Sequence, residues 1–103
     1  MILEWSPLAL ERVSEIASYI TLDKPSAAEA WVDGIFESVG RLESYPMSGR
    51  KVPEVGIERI REIIYGAYRI IYSIDERAGK ISVLTVRRGS EMLRAEELEL
   101  KGT

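Results

Sequence analysis

The hydrophobic period of this chain changes once, and that change bounds the fold. Up to about residue 44 the apolar residues recur every three or four positions. Between residues 59 and 87 they come instead as runs of β-branched and aromatic residues with period two. The first spacing is that of a helix face and the second that of a strand. Ala9, Val13, Ile16, Ala17 and Ile20 make one helical stripe, with Glu11, Arg12 and Glu15 opposite. Ser6-Pro7 stands before it, an N-cap followed by the residue that tolerates the first helical position. This predicts a helix from Pro7 to Leu22, ended by Asp23-Lys24-Pro25. Ala28, Trp31, Val32, Ile35, Val39 and Leu42 predict a second helix from about Pro25 to about Ser44. Gly34 and Gly40 inside it each cost about 1 kcal/mol relative to Ala. Two amphipathic helices joined by so short a turn form a helical hairpin.

The rest reads as sheet. Ile2–Trp5 predicts a short first strand. Pro46, Gly49, Pro53 and Gly56 predict an irregular stretch. Arg59–Tyr65 and Tyr68–Ile74 flank a tight Gly66-Ala67 connection, so they form a β-hairpin. Asp75–Lys80 makes the next turn, and Ile81–Arg87 is the last strand, ended by Gly89. The tail, 91–100, has the composition of a short helix. The order β-α-α-β-β-β gives an α+β fold: an N-terminal strand, then a helical hairpin packed on a small antiparallel sheet. At 103 residues this is a single domain, 1–103.

Several function classes have no support. The chain has no cysteine and no histidine, which removes thiolate and imidazole metal sites and the commonest general base. No metal and no cofactor is expected, since the glycines form no phosphate-binding fingerprint. No apolar run approaches the roughly 20 residues of a membrane span, and the N-terminus lacks the features of a signal peptide. No membrane partner and a cytoplasmic location are the expectations. The net charge of −3 is unevenly spread. The first 45 residues are acidic, residues 46–94 are basic, and the tail is acidic again. A basic half suits an anionic partner.

Strand alternation sorts the basic residues by face. Arg69, Ile71 and Ser73 share one face of their strand, Arg59, Arg61, Ile63 and Tyr65 one face of theirs, and Arg87 and Arg88 point to opposite faces. Several guanidinium groups could therefore converge on the sheet surface away from the helices. Guanidinium binds phosphate or carboxylate bidentately and keeps its charge at any working pH. The plainer reading is a surface whose arginines are neutralised by Glu54, Glu58, Glu62 and Glu91. Trp5, Trp31 and Phe36 read as core, and Tyr65, Tyr68 and Tyr72 as sheet packing.

Six motifs in order resemble a known family. They are Trp5-Ser6-Pro7, Asp23-x-Pro25-x-Ala27-Ala28, Pro46-x-x-Gly49-Arg50-x-Val52-Pro53, Ile60-Arg61-Glu62, Tyr68-Arg69-Ile70-Ile71-Tyr72 and Ile81-x-Val83-Leu84-x-Val86-Arg87. From about Ile2 to Arg88 the chain resembles the RelE/ParE toxins of prokaryotic type II toxin–antitoxin pairs. The resemblance implies a cognate antitoxin as partner and one of two targets. RelE-like members cut mRNA on the ribosome, and that activity is the leading expectation. ParE-like members poison DNA gyrase without a nuclease site, and an inactive antitoxin-binding module is a third reading. Carried over, Arg61, Arg69 and Arg87 match the catalytic positions of the ribonucleases. Arg50, Arg59 and Arg88 would contact nucleic acid or antitoxin. Those ribonucleases often place a tyrosine, or a histidine and a tyrosine, just beyond the last strand. Here Gly89-Ser90-Glu91-Met92-Leu93 occupies that place.

Overall fold

The fold is that of a computed structural model, which describes residues 1–99. Strand β1 (Ile2–Trp5) leads into helices α1 (Pro7–Asp23) and α2 (Pro25–Gly40). Strands β2 (Arg50–Lys51), β3 (Ile60–Tyr65), β4 (Tyr68–Asp75) and β5 (Lys80–Arg88) follow. Short 3-10 turns lie at Arg41–Glu43, Pro46–Ser48 and Ala95–Leu98. The last falls in the tail expected to be helical; that expectation reached Leu100, which lies outside the described residues.

Ser6 caps α1 as its position predicts. Its Oγ accepts from the Ala9 N–H at 3.0 Å and donates to the Leu84 carbonyl at 2.9 Å, fastening the helix start to β5. The second helix is shorter than expected. It ends at Gly40, and the chain tightens into a 3-10 turn over Arg41–Glu43 instead of continuing to Ser44. Pro46 blocks any longer helix, and the tighter turn still buries Leu42.

The sheet order is β1-β5-β4-β3-β2. Strands β3, β4 and β5 form the expected antiparallel meander. Two features differ from the expectation. β1 pairs parallel to β5, Leu3 opposite Ile81, so the sheet is mixed rather than wholly antiparallel. Arg50–Lys51, expected to be irregular, forms a two-residue strand on the edge of β3. Strand periodicity specifies which side chains share a face but not the direction of a partner, so neither feature is encoded locally. A third departure has larger consequences. Ile71 pairs with Thr85 and Tyr72 with Val83, so Leu84 is an extra residue in β5. This bulge inverts the alternation of everything after it.

Both faces of the sheet are covered. Ala9 and Val13 of α1 and Ile35 and Val39 of α2 pack against Ile70, Tyr72, Ile74, Ile81, Val83 and Val86. Trp31 packs edge-on to Tyr68 at 5.2 Å, and Trp5 lies against a half-exposed Phe36 at 4.7 Å. On the other face, which the sequence left bare, Val52, Ile60, Ile71, Leu84 and Leu98 form a second core. The segment between β2 and β3 and the C-terminal tail together roof it.

The two helical glycines should behave in opposite ways. A Cβ on Gly34 would fall inside the Tyr65 phenol, whereas one on Gly40 would meet nothing within 4 Å. Gly34→Ala should therefore destabilise by about 1–3 kcal/mol through overpacking. Gly40→Ala should stabilise by up to about 1 kcal/mol. Urea unfolding of the two variants checks both signs.

Candidate functional site: the arginine–glutamate cluster of the outer sheet face

Arg69 sits in the middle strand of the meander and points to the face away from the helices. It is almost wholly buried. Its Nε donates to Glu62 Oε1 at 2.7 Å, and its Nη1 and Nη2 donate to the two oxygens of Glu54, each at 2.8 Å. Glu62 comes from β3, is fully buried, and also accepts from Arg50 Nε at 2.6 Å. Arg50, Glu62, Arg69 and Glu54 thus form one chain of alternating charge. A buried ion needs such a partner set, because desolvation costs several kcal/mol per charge. The hydrogen bonds to Glu54 raise the Arg69 pKa further above its already high ordinary value. The bond from Arg69 in turn holds the Glu54 carboxyl below its usual range.

Arg87 reaches the same face because of the bulge. It is the register partner of Arg69. Its Nε and Nη2 donate to Glu97 at 2.7 and 3.0 Å, and its Nη1 donates to Glu91 at 2.9 Å. Glu97 is buried in the 3-10 turn of the tail. It accepts as well from the Thr85 hydroxyl at 2.8 Å and the Arg94 N–H at 3.0 Å, and Arg12 of α1 lies 3.6 Å away. Burial alone would push the Glu97 carboxyl up. Arg87, the Arg94 N–H and Thr85 outweigh it, and the carboxyl ends below its ordinary range. The hydrogen bond to Glu97 raises Arg87.

Of the six arginines singled out from the sequence, the structure gathers Arg50, Arg69 and Arg87. Arg61 lies opposite Tyr72 on the helix-side face, donating to the Gly49 carbonyl at 2.9 Å and to Glu58 at 2.7 Å. Arg59 is exposed just before β3, near Glu76 and Arg77. Arg88 lies on the helix side beside Glu15, Ile16, Tyr19 and Tyr68. Glu54, Glu58, Glu62 and Glu91 all pair with arginine, as the plainer sequence reading has it. Glu97, Thr85 and Arg12 were not anticipated. Arg94-x-x-Glu97 has the N-cap-to-N3 spacing at which a glutamate reaches back to the backbone, and that was the one available signal. The Tyr72 hydroxyl donates to the Pro46 carbonyl at 2.8 Å and accepts from the Gly49 N–H at 3.0 Å. Burial raises its pKa. Among the described residues no group of three or more carboxylates is arranged to hold a metal ion.

A helical hairpin on one face of a mixed five-stranded sheet is a fold this chain shares with chains of two solved toxin–antitoxin systems. A chain of the chromosomal ParDE system from P. aeruginosa superposes with a TM-score of 0.70 at 22% identity, covering 85% of this chain and 95% of that one. A chain of the RelBE2 toxin–antitoxin complex from Mycobacterium tuberculosis superposes with a TM-score of 0.56 at 20% identity, covering 84% and 95%. In sequence, the toxin candidate Y4kP of Sinorhizobium fredii is 36% identical over 85 residues, 82% of this chain and 83% of Y4kP. Residues 3–93 match the family described as ParE toxin of type II toxin-antitoxin system, parDE, and the chain belongs to that family.

The Glu97 carboxylate should fasten the tail in a pH-dependent way. An unfolded glutamate titrates near 4.3, and the folded group is held lower. Its contribution is therefore complete above about pH 4.3 and is lost as the pH falls through the folded value. Glu97→Gln should cost about 3 kcal/mol at pH 7 by leaving Arg87 short of a counter-charge. Urea midpoints at pH 7 and pH 3 should show that gap shrinking in acid. A gap of the same size at pH 3 would mean that the shape of Glu97, not its charge, holds the tail.

Proposed function

We propose that this chain is the toxin of a type II pair that acts by binding its target, in the ParE manner, and that a cognate antitoxin silences it. This departs from the leading expectation raised by the sequence, ribosome-dependent mRNA cleavage. The observation that carries it is the state of the three arginines at ribonuclease-like positions. Each is bonded to at least one carboxylate: Arg61 to Glu58, Arg69 to Glu62 and Glu54, Arg87 to Glu97 and Glu91. Transition-state stabilisation needs donors aimed at a developing charge, not guanidinium groups whose charge is already matched by neighbouring carboxylates. General acid–base chemistry needs a group poised near neutrality. The chain has no histidine, and the buried Tyr72 phenol is pushed further from neutrality. The family match over residues 3–93 is to ParE toxins, and the resemblance makes DNA gyrase the expected target.

Induction of the chain alone in bacteria, followed by pulse-labelling, tests this reading. DNA synthesis should fail first while translation continues. Translation stopping first would sink the proposal and return Arg61, Arg69 and Arg87 to the role of candidate active-site residues. Where a short reading frame neighbours the gene, its co-expression should restore growth, and failure to do so would remove its product as the antitoxin.

A further inference from the structure

The outer-face arginines are filled, so a contact with another molecule needs a charge that the fold has left unmatched. Arg88 carries one. Among the described residues its guanidinium forms no ion pair, in contrast to its neighbour Arg87. It lines a cleft of about 350 Å³ with Glu15, Ile16, Tyr19, Tyr68 and Glu91, where α1 passes one end of β4 and β5. Both carboxylates of the cleft are already taken. Glu15 accepts from Arg12 Nη1 at 3.3 Å. Glu91 accepts from Arg87 Nη1 at 2.9 Å and from the Arg88 backbone N–H at 3.2 Å. The one unmatched charge of the cleft is therefore positive.

The floor of the cleft is pre-formed. Ile16 and Tyr68 pack on the main core. Tyr68 is held edge-on by Trp31 at 5.2 Å, and the β4–β5 register sets Arg88 directly beside it. The wall is open: Tyr19 keeps 68% of its surface. An exposed aromatic ring costs solvation that only a partner recovers, and binding energy concentrates where an aromatic or apolar anchor fills a formed pocket. The cleft thus joins an apolar floor, an uncovered tyrosine and a guanidinium without a counter-charge.

We propose that this cleft is where the toxin grips its protein target, taking one aromatic side chain on Tyr19 and Tyr68 and an adjacent carboxylate on Arg88. The inference rests on the target-binding reading above and adds the place and the chemistry of the contact. The ring answers the apolar lining, and the carboxylate answers the single unmatched guanidinium, which it can meet in the two-pronged geometry that arginine favours. A nucleic-acid backbone fits worse. One unpaired cation does not match dense phosphate charge, and Glu11 and Glu15 stand exposed on the same helix as Tyr19.

The probe is the blocked dipeptide acetyl-Phe-Asp-amide, titrated at millimolar concentration into the intact chain and followed by NMR. It should move the Tyr19 and Tyr68 ring signals and the Arg88 Nε–H signal, and leave that of Arg69 in place. Acetyl-Phe-Asn-amide should bind about threefold more weakly, the loss of one exposed ion pair, and acetyl-Ala-Asp-amide should not bind measurably. No shift at Arg88, or equal affinity for all three peptides, overturns the proposal. In bacteria, Tyr19→Ala/Arg88→Gln induced alone should no longer halt growth while keeping the wild-type melting temperature. Should the double variant melt lower, Arg88→Gln by itself carries the test, with toxicity reduced. Full toxicity of the variant, with DNA synthesis still failing first in wild type, removes this site and leaves the target-binding reading standing. Translation failing first in wild type sinks that reading and this inference with it. A variant that stays toxic but escapes an antitoxin that neutralises wild type overturns the proposal too, with the antitoxin as occupant.

Discussion

Arg69 is the constraint around which the outer half of this protein is organised. A guanidinium group in the central strand of the meander, nearly out of water, is tolerable only with its charge matched and its donors satisfied. Glu62 from β3 supplies one match and Glu54, from the segment between β2 and β3, the other. Those bonds come from different elements, so satisfying one side chain fixes the edge of the sheet and the loop across it. Val52 and Val55 then pack beside Ile60 and Ile71. The apolar roof and the polar cluster beneath it support each other, because excluding water strengthens every ion pair within.

The bulge at Leu84 repeats the arrangement one strand over. By inverting the alternation it sends Val86 to the helix side, where it joins the main core, and Arg87 to the outer face. Leu84 turns outward to meet Leu98. An arginine placed directly opposite another arginine would repel it. The tail meets that difficulty by bringing Glu97 and Glu91 onto Arg87. One extra residue in a strand therefore explains the side of the sheet on which Arg87 lies, why the tail folds back, and why a glutamate is buried there.

This arrangement bears on how charge serves function in the ParE fold described here. A basic patch read from sequence suggests a surface waiting for an anion. In the folded chain the central arginines already hold anions, drawn from their own sequence neighbours and from the tail. Buried carboxylates orient each guanidinium, and half-exposed ones cover its outer positions. Arg59 lies at the rim and the Arg88 side chain on the helix side, away from these pairs.

The sequence by itself determined the elements: the capped first helix, the hairpin turn at Asp23-Lys24-Pro25, and the β3–β4 hairpin around Gly66-Ala67. These are local matters of capping, turn chemistry and periodicity, written within a few residues. It also determined four of the five glutamates that pair with Arg50, Arg61, Arg69 and Arg87, since those charges lie within the same stretch of loops and strands. Tertiary structure alone decided the parallel pairing of β1, the strand at Arg50–Lys51, the inverted face of Arg87 and the burial of Glu97. Each depends on which distant segment arrives beside which. Residues 2–5 meet 80–83, and Glu97 meets Thr85 and Arg12. No periodicity carries that information, because it resides in contacts between segments far apart in the chain, which only the folded whole brings together.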